Sequence, residues 1–315
     1  MGLRTACLVG LLILGGAAPG CGLGSSIRLP ADMEALPPDL SSLFPAEDLA
    51  ARPPDLLSDE PDASEPPDLQ PDPCVARSRI IYAIDQDNML RGFDPTTMKF
   101  INIGFLLCPA EQGATPFSMG VDHNAVAWVL YNSGEIFLVD TQTAACKASA
   151  FVPNQGDFTN FGMGFVADKK GQVAAEHLYL AGVANMQLGV MDPVKLTIGA
   201  VGPLGGNPEL TGTGGAALYG FFPDENTPRV SLLDKATGLE GQSYPLANLK
   251  GQALAWAFAF WGGDFWIFLQ RLQDASTHVW RLDGATGKVI DVVPNTGFVI
   301  VGAGVSVCAP TGPSH

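Results

Sequence analysis

Residue types that could do chemistry are sparse in this sequence, and their spacing is poor. The four histidines are His123, His177, His278 and His315. None has a partner at the spacing that puts two donors on one helix face, as in His-Glu-x-x-His. Each therefore reads as a surface or turn residue, and no metal site is expected. No Gly-x-Ser-x-Gly elbow is present to expose a serine nucleophile. Gly284-Ala285-Thr286-Gly287-Lys288 has the small residues and lysine of a phosphate loop, but neither its length nor the Ser or Thr that should follow. Gly212-x-Gly214-x-x-Ala217 lacks the strand–helix–strand setting of a dinucleotide site. The expectation is no catalytic residue, no cofactor and no enzyme.

Cysteine is the informative residue type. Residues 1–20 have the three parts of a secretory signal: Arg4, an apolar run over residues 6–16, and Ala17-Ala18-Pro19-Gly20 leading to Cys21. The run is shorter than the roughly 20 residues of a bilayer-spanning helix, which argues against an uncleaved anchor. Ala18-Pro19-Gly20-Cys21 resembles the lipobox of bacterial lipoproteins. That resemblance implies cleavage before Cys21, palmitate-type lipidation of its thiol and attachment to a membrane. Ala18 and Pro19 depart from the usual motif. By the same resemblance, Gly22 lacks the Asp that retains lipoproteins at the inner membrane in some bacteria, which points to the outer membrane. Of six cysteines, Cys7 leaves with the signal and Cys21 takes lipid. Cys74, Cys108, Cys146 and Cys308 remain, an even number for an oxidising compartment, whereas ordinary secretion would leave Cys21 over.

Residues 21–73 read as a lipidated cysteine followed by a disordered linker rich in Pro and Asp. Pro37-Pro38-Asp39-Leu40 recurs at Pro53-Pro54-Asp55-Leu56 and Pro66-Pro67-Asp68-Leu69. Paired prolines favour extended polyproline II and the carboxylates repel one another, so the segment suits a tether; docking of a partner by each word is the sharper alternative. The linker carries −10 of the net charge of −15. The remainder has no basic stripe to neutralise phosphates, so nucleic acid is not an expected partner.

From residue 79 one unit repeats: an apolar strand, a tight turn, a second strand ending in Asp, then a turn with Thr or Gly. The markers are Asp94, Asp140, Asp192, Asp234 and Asp283, at intervals of 46, 52, 42 and 49 residues. Repeats of that length built from short strands indicate an all-β fold, a β-propeller of five four-stranded blades over residues 74–310, with residues 311–315 as a disordered tail. In the second unit the strands fall at residues 118–122, 125–131, 135–140 and 147–152, with Asn132-Ser133-Gly134 as a hairpin turn. The same template gives inner strands with small residues: Gly120, Gly162 and Gly164, Gly212 and Gly214, Ala255 and Ala257, Gly302 and Gly304. Residues 79–85 and 89–94 match strands two and three of a unit without an inner strand, and residues 299–305 match an inner strand without successors. The C-terminal strand should then close the ring, bringing Cys308 beside Cys74 and leaving Cys108 to pair with Cys146. The apolar stretch 253–269 alternates Ala with large residues around Gly262-Gly263-Asp264, the mark of a buried hairpin rather than a membrane span.

Connectors leading into the inner strands gather at one mouth of the central channel. They should present Thr115, Asn160, Asn207, Glu209, Gln252 and Asn295, a polar ring with one carboxylate. Such a ring suits a polar neutral ligand or a loosely held cation; polar capping of strand ends is the bland alternative. Trp256, Trp261 and Trp266 could stack on a sugar or pack the core. In plan the chain resembles bacterial lipoproteins with Pro-Asp-rich spacers and a YVTN-type or quinoprotein-like propeller, with Ala114-Thr-Pro-Phe-Ser-Met-Gly-Val-Asp122 and Glu209-Leu-Thr-Gly-Thr-Gly214 as the family-like phrases. The resemblance implies fold and location, and no activity. The expected function is a membrane-anchored, monomeric binding or scaffold module for a protein or glycan. The alternative is a lyase- or hydrolase-like enzyme acting on a surface polymer.

Overall fold

The computed structural model describes residues 74–312. The expected signal peptide, Cys21, the linker and residues 313–315 of the tail lie outside these described residues.

The chain runs as a series of antiparallel meanders. After a 3-10 turn at Ala76–Arg79, which takes Arg79 out of the expected strand, come β1 (Ile81–Asp85), β2 (Met89–Asp94) and β3 (Lys99–Phe105). The second blade is β4 (Pro116–Val121), β5 (Val126–Tyr131), β6 (Ile136–Asp140) and β7 (Cys146–Ala148); the third is β8 (Phe161–Ala167), β9 (Glu176–Gly182), β10 (Gln187–Asp192) and β11 (Thr197–Pro203). The fourth is β12 (Glu209–Gly212), β13 (Leu218–Phe222), β14 (Arg229–Leu233) and β15 (Glu240–Pro245). The fifth is β16 (Ala253–Trp261), β17 (Asp264–Arg271), β18 (His278–Leu282) and β19 (Val289–Val293), and β20 (Ile300–Gly304) follows it. β20 pairs with β1, Tyr82 opposite Gly304 and Ala83 opposite Ala303, so the last strand is the inner strand of the first blade. The fold is a five-bladed β-propeller closed by its own C-terminal strand. Both disulfides fall as the closure requires, Cys74 with Cys308 and Cys108 with Cys146.

Period-two alternation builds the core. Each sheet sends one set of side chains to the blade before it and the other to the blade after it, giving a separate apolar cluster at each of the five interfaces. Between the second and third blades, Trp128 and Leu130 meet Phe161, Met163 and Phe165; between the fifth and first, Phe268 and Trp266 meet Phe93. The buried Phe258, Ile267 and Phe268 confirm residues 253–269 as a core hairpin.

Small residues on the inner strands are a packing requirement. A Cβ on Gly162 would stand 2.5 Å from the Pro208 carbonyl oxygen, and one on Gly302 3.0 Å from the Met119 nitrogen. The backbones of adjacent inner strands thus touch where side chains would otherwise separate them. Gly212 is the tightest case, its Cβ falling 2.1 Å from the Phe165 carbonyl oxygen. Gly212→Ala is expected to cost about 3 kcal/mol or more, because backbone has to move. Gly199→Ala, whose Cβ meets nothing nearer than 3.9 Å, should be close to neutral. Urea midpoints of the two variants check this; equal midpoints would refute the backbone-contact account.

The repeated Asp sits at the turn between third and outer strands. Asp140 Oδ1 accepts from the N–H groups of Gln142 (2.8 Å) and Thr143 (2.9 Å), and Asp283 Oδ1 from those of Ala285 (3.0 Å) and Thr286 (2.8 Å). Such bonds favour the charged form, and they hold the carboxyls of Asp140, Asp234 and Asp283 below the usual range and that of Asp192 down to about 2.

Two further details differ from the sequence expectation. The outer strand of the second blade is Cys146–Ala148, not residues 147–152. Ser149 ends it by donating both its N–H and its hydroxyl to the Ile136 carbonyl, and Phe151 then turns inward to be buried. Gly214 lies just past β12 rather than within it.

Candidate functional site

Every inner strand starts at the same face of the ring. That face, the mouth, also carries the turns between second and third strands. The chain enters through Cys74 on the opposite face, where β20 ends and β1 begins.

At the centre of the mouth is a pit of about 190 Å³, with Phe117, Gly162, Asn207, Glu209, Trp256 and Val301 among its lining residues. These come from all five blades, so closure of the ring is what forms the pit. Val183, Pro208 and Leu254 complete a largely apolar wall. Glu209, at the start of β12, is 3% exposed. Its Oε1 accepts from Ser118 Oγ of the second blade at 2.6 Å and from the Met163 N–H of the third at 3.0 Å. Burial outweighs these bonds and pushes its carboxyl up to about 8, so at neutral pH it is an uncharged acid. Oε2 lies 3.1 Å from where a Cβ on Gly162 would stand. Asn207 places its Oδ1 where solvent does not reach, with no hydrogen-bond partner.

A second cavity of about 360 Å³ adjoins the pit and shares Asn207 and Trp256 with it; Asp224, Glu225 and Gln252 also line it. Of the six residues expected at the mouth, Asn207, Glu209 and Gln252 thus line these two cavities. The other three line neither. Thr115 is bound to Asn132 through its N–H and its hydroxyl. Asn295 Oδ1 accepts from Ser276 of the β17–β18 turn and from the Gly297 N–H of its own connector, and Asn160 has a buried, unpartnered Oδ1. Of the tryptophans, Trp256 reaches the pit; Trp266 is core, and Trp261 donates its ring N–H to the Arg79 carbonyl.

The opposite face has a cluster that the spacing of residues did not reveal. A cavity of about 470 Å³ between the second and third blades is lined by His123, Glu176, Asp168 and His177 among others. His123 Nδ1 lies 2.7 Å from Glu176 Oε1, and the His123 N–H donates to the same oxygen at 2.8 Å. Burial pushes the Glu176 carboxyl up to about 7, and its Oε2 has no partner. His177 Nδ1 meets Asp168 Oδ1 at 2.6 Å. Glu176 and His177 are neighbours in β9 and project from opposite faces of their sheet, so the two pairs do not converge on one point. The third histidine, His278, sits between Asp291 and Asp274, at 2.9 Å and 3.7 Å. Among the described residues no group of three His, Cys, Asp or Glu is arranged to hold a metal ion. A groove of about 650 Å³ along the fourth blade has its polar groups already engaged: Asp234 in its turn, Glu240 with Arg229, and Lys235 with the Ala167 carbonyl.

No family model matches the sequence, and no curated protein matches it. Among solved structures, a chain of a nidogen–laminin complex aligns with a TM-score of 0.48 and 11% identity, over 71% of this chain and 97% of that one. A Kuenenia stuttgartiensis hydrazine synthase chain aligns with a TM-score of 0.38 and 13% identity, over 67% of this chain and 65% of that one. The extracellular domain of a one-component system from B. thetaiotaomicron gives 0.37 and 13%, over 69% of this chain and 29% of that one.

Proposed function

We propose that this protein is an exported lipoprotein, anchored through Cys21 to the outer membrane, whose propeller binds a protein or glycan at the channel mouth without turning it over. The observation that carries the binding reading is the pit itself. It is apolar-walled and built by all five blades, with Glu209 and Asn207 as its polar lining residues. Small-ligand sites have this composition, an apolar cavity with a few converging polar groups. Two disulfides fit an oxidising compartment. Cys74, the first described residue, lies on the face opposite the mouth. No helix among the described residues is long and apolar enough to cross a membrane; the anchor in this reading is the lipid on Cys21.

Two measurements test it. Palmitate incorporation should be lost in Cys21→Ala; labelling that survives this change refutes the anchor. Capture of surface proteins or glycans by the full chain should fall at least tenfold in Trp256→Ala; equal capture removes the mouth from the reading.

One observation favours a second reading, an enzyme acting on a surface polymer. Glu176, with a carboxyl near neutral, touches His123 in the opposite-face cavity, a pair suited to general acid–base work. Turnover of such a polymer that disappears in Glu176→Gln would establish it over the binding reading.

A further inference from the structure

The accessible groups of the mouth separate its two partner classes, granted that the mouth is the binding site. In the pit, Phe117, Val183, Trp256 and Val301 are half-buried and Leu254 is 48% exposed, so apolar surface stands open to an occupant. Glu209 is nearly covered and already bonded to Ser118 and the Met163 N–H. At about 190 Å³ the pit falls short of the roughly 300 Å³ at which pockets for whole small molecules begin. It exceeds the roughly 150 Å³ that holds a benzene ring. One side chain fits. A sugar ring would set its hydroxyls against Phe117, Val183, Leu254 and Val301, none of which can bond them.

Charge around the pit is one-sided. Lys250 is the sole basic residue in the connectors and the second-to-third-strand turns that form the mouth. On those segments Asp87, Glu111, Glu135, Asp157 and Glu225 form no salt bridge among the described residues. Arg229 and Arg271, at strand ends nearby, are taken by Asp224 with Glu240 and by Asp274. The exposed Glu225 lines the adjoining cavity of about 360 Å³ together with Met186, which is 51% exposed. Trp256 walls both cavities. A basic side chain seated in the second cavity thus meets a carboxylate for its charge, a thioether for its apolar stem and an indole. In an extended segment, residues two apart point the same way, so one short stretch of chain can fill both cavities. We infer that the mouth docks a protein partner through such a segment, seating one phenylalanine- or leucine-sized side chain in the pit and a Lys or Arg side chain beside Glu225.

Selection of random heptapeptides displayed on phage, against the full chain, tests this. Enriched peptides should pair an aromatic or large aliphatic residue with Lys or Arg within two positions. A synthetic peptide of the consensus, titrated by calorimetry, should bind less tightly as salt is raised. It should bind at least tenfold more weakly to Leu254→Asp, Trp256→Ala and Glu225→Lys. Leu254 and Glu225 are exposed, so those two variants should melt close to the parent. Enriched peptides without a basic residue, bound equally by Glu225→Lys, would overturn the charged half of the assignment. Binding unchanged in Leu254→Asp and Trp256→Ala would place the peptide outside the pit and overturn the other half. No enriched peptide, with surface glycan still captured through Trp256, would refute the protein partner and keep the mouth. Neither peptide nor glycan captured through Trp256 would refute the mouth itself.

Discussion

Replacing Cys74 and Cys308 together by serine is expected to lower the unfolding free energy by about 5 kcal/mol, on the chain-entropy account of a cross-link. The bond joins residues 234 positions apart, so the loop it closes contains nearly the whole ring. Its removal does more than free the denatured chain. The first blade's inner strand, β20, is supplied by the far end of the sequence, and only the β1–β20 ladder and inter-blade packing would then hold the ring shut. Val305, Val307 and Ala309, all buried next to Cys308, should become the first segment to exchange amide hydrogens. The Cys108–Cys146 bond spans 38 residues, for which the same account gives about 4 kcal/mol. Its loss should loosen only the outer edges of the first two blades. Denaturant unfolding of the two double variants, with hydrogen exchange over residues 300–309, distinguishes them. Equal losses without early exchange at the C-terminus would mean that β20 is held without its latch.

Blade number and ring closure were legible because they rest on local chemistry that repeats. An Asp accepting from N–H groups two and three residues ahead makes the same turn wherever it occurs, so five copies mark five blades. Glycine where backbones touch is likewise local, and so is an inner strand left over at one end for a blade that lacks one at the other. The outer strand of the second blade was misplaced because its end is set by Ser149 bonding back to Ile136, a contact that the apolar pattern does not encode.

The site was legible only in part, and the reason is distance along the chain. Glu209 lies 91 residues from Ser118 and His123 lies 53 from Glu176, so neither pairing has a spacing to recognise. The expected polar ring assumed that every connector sends its amide or hydroxyl inward. Thr115 and Asn295 instead bond groups of the adjacent turns between second and third strands, Asn132 and Ser276, and so do not reach a shared centre. Asn207 escapes this because Pro208 follows it and holds the chain extended into β12.

Glu209 should also control how stability depends on pH. Its folded-state carboxyl is raised from 4.5 to about 8, so between those values the native state keeps a proton that the unfolded chain has released. Stability linked to this group is fully present below pH 4.5, falls as pH rises, and levels off above pH 8. Each pH unit between the unfolded and folded values is worth about 1.4 kcal/mol, which makes the full swing about 5 kcal/mol. Glu176 adds a smaller decline of the same sign, ending near pH 7, because its carboxyl rises only to about 7. Glu209→Gln keeps an oxygen for Ser118 Oγ and the Met163 N–H but cannot ionise. The variant should match the parent near pH 4.5 and exceed its stability by about 5 kcal/mol at pH 9, leaving only the Glu176 slope. Urea unfolding at half-unit steps from pH 4 to 9 measures it. A parent and variant that run parallel across that window would show that Glu209 ionises without cost, and that water or a cation already reaches the floor of the pit. A variant flat across the whole window would assign the entire decline to Glu209 and none to the pair with His123.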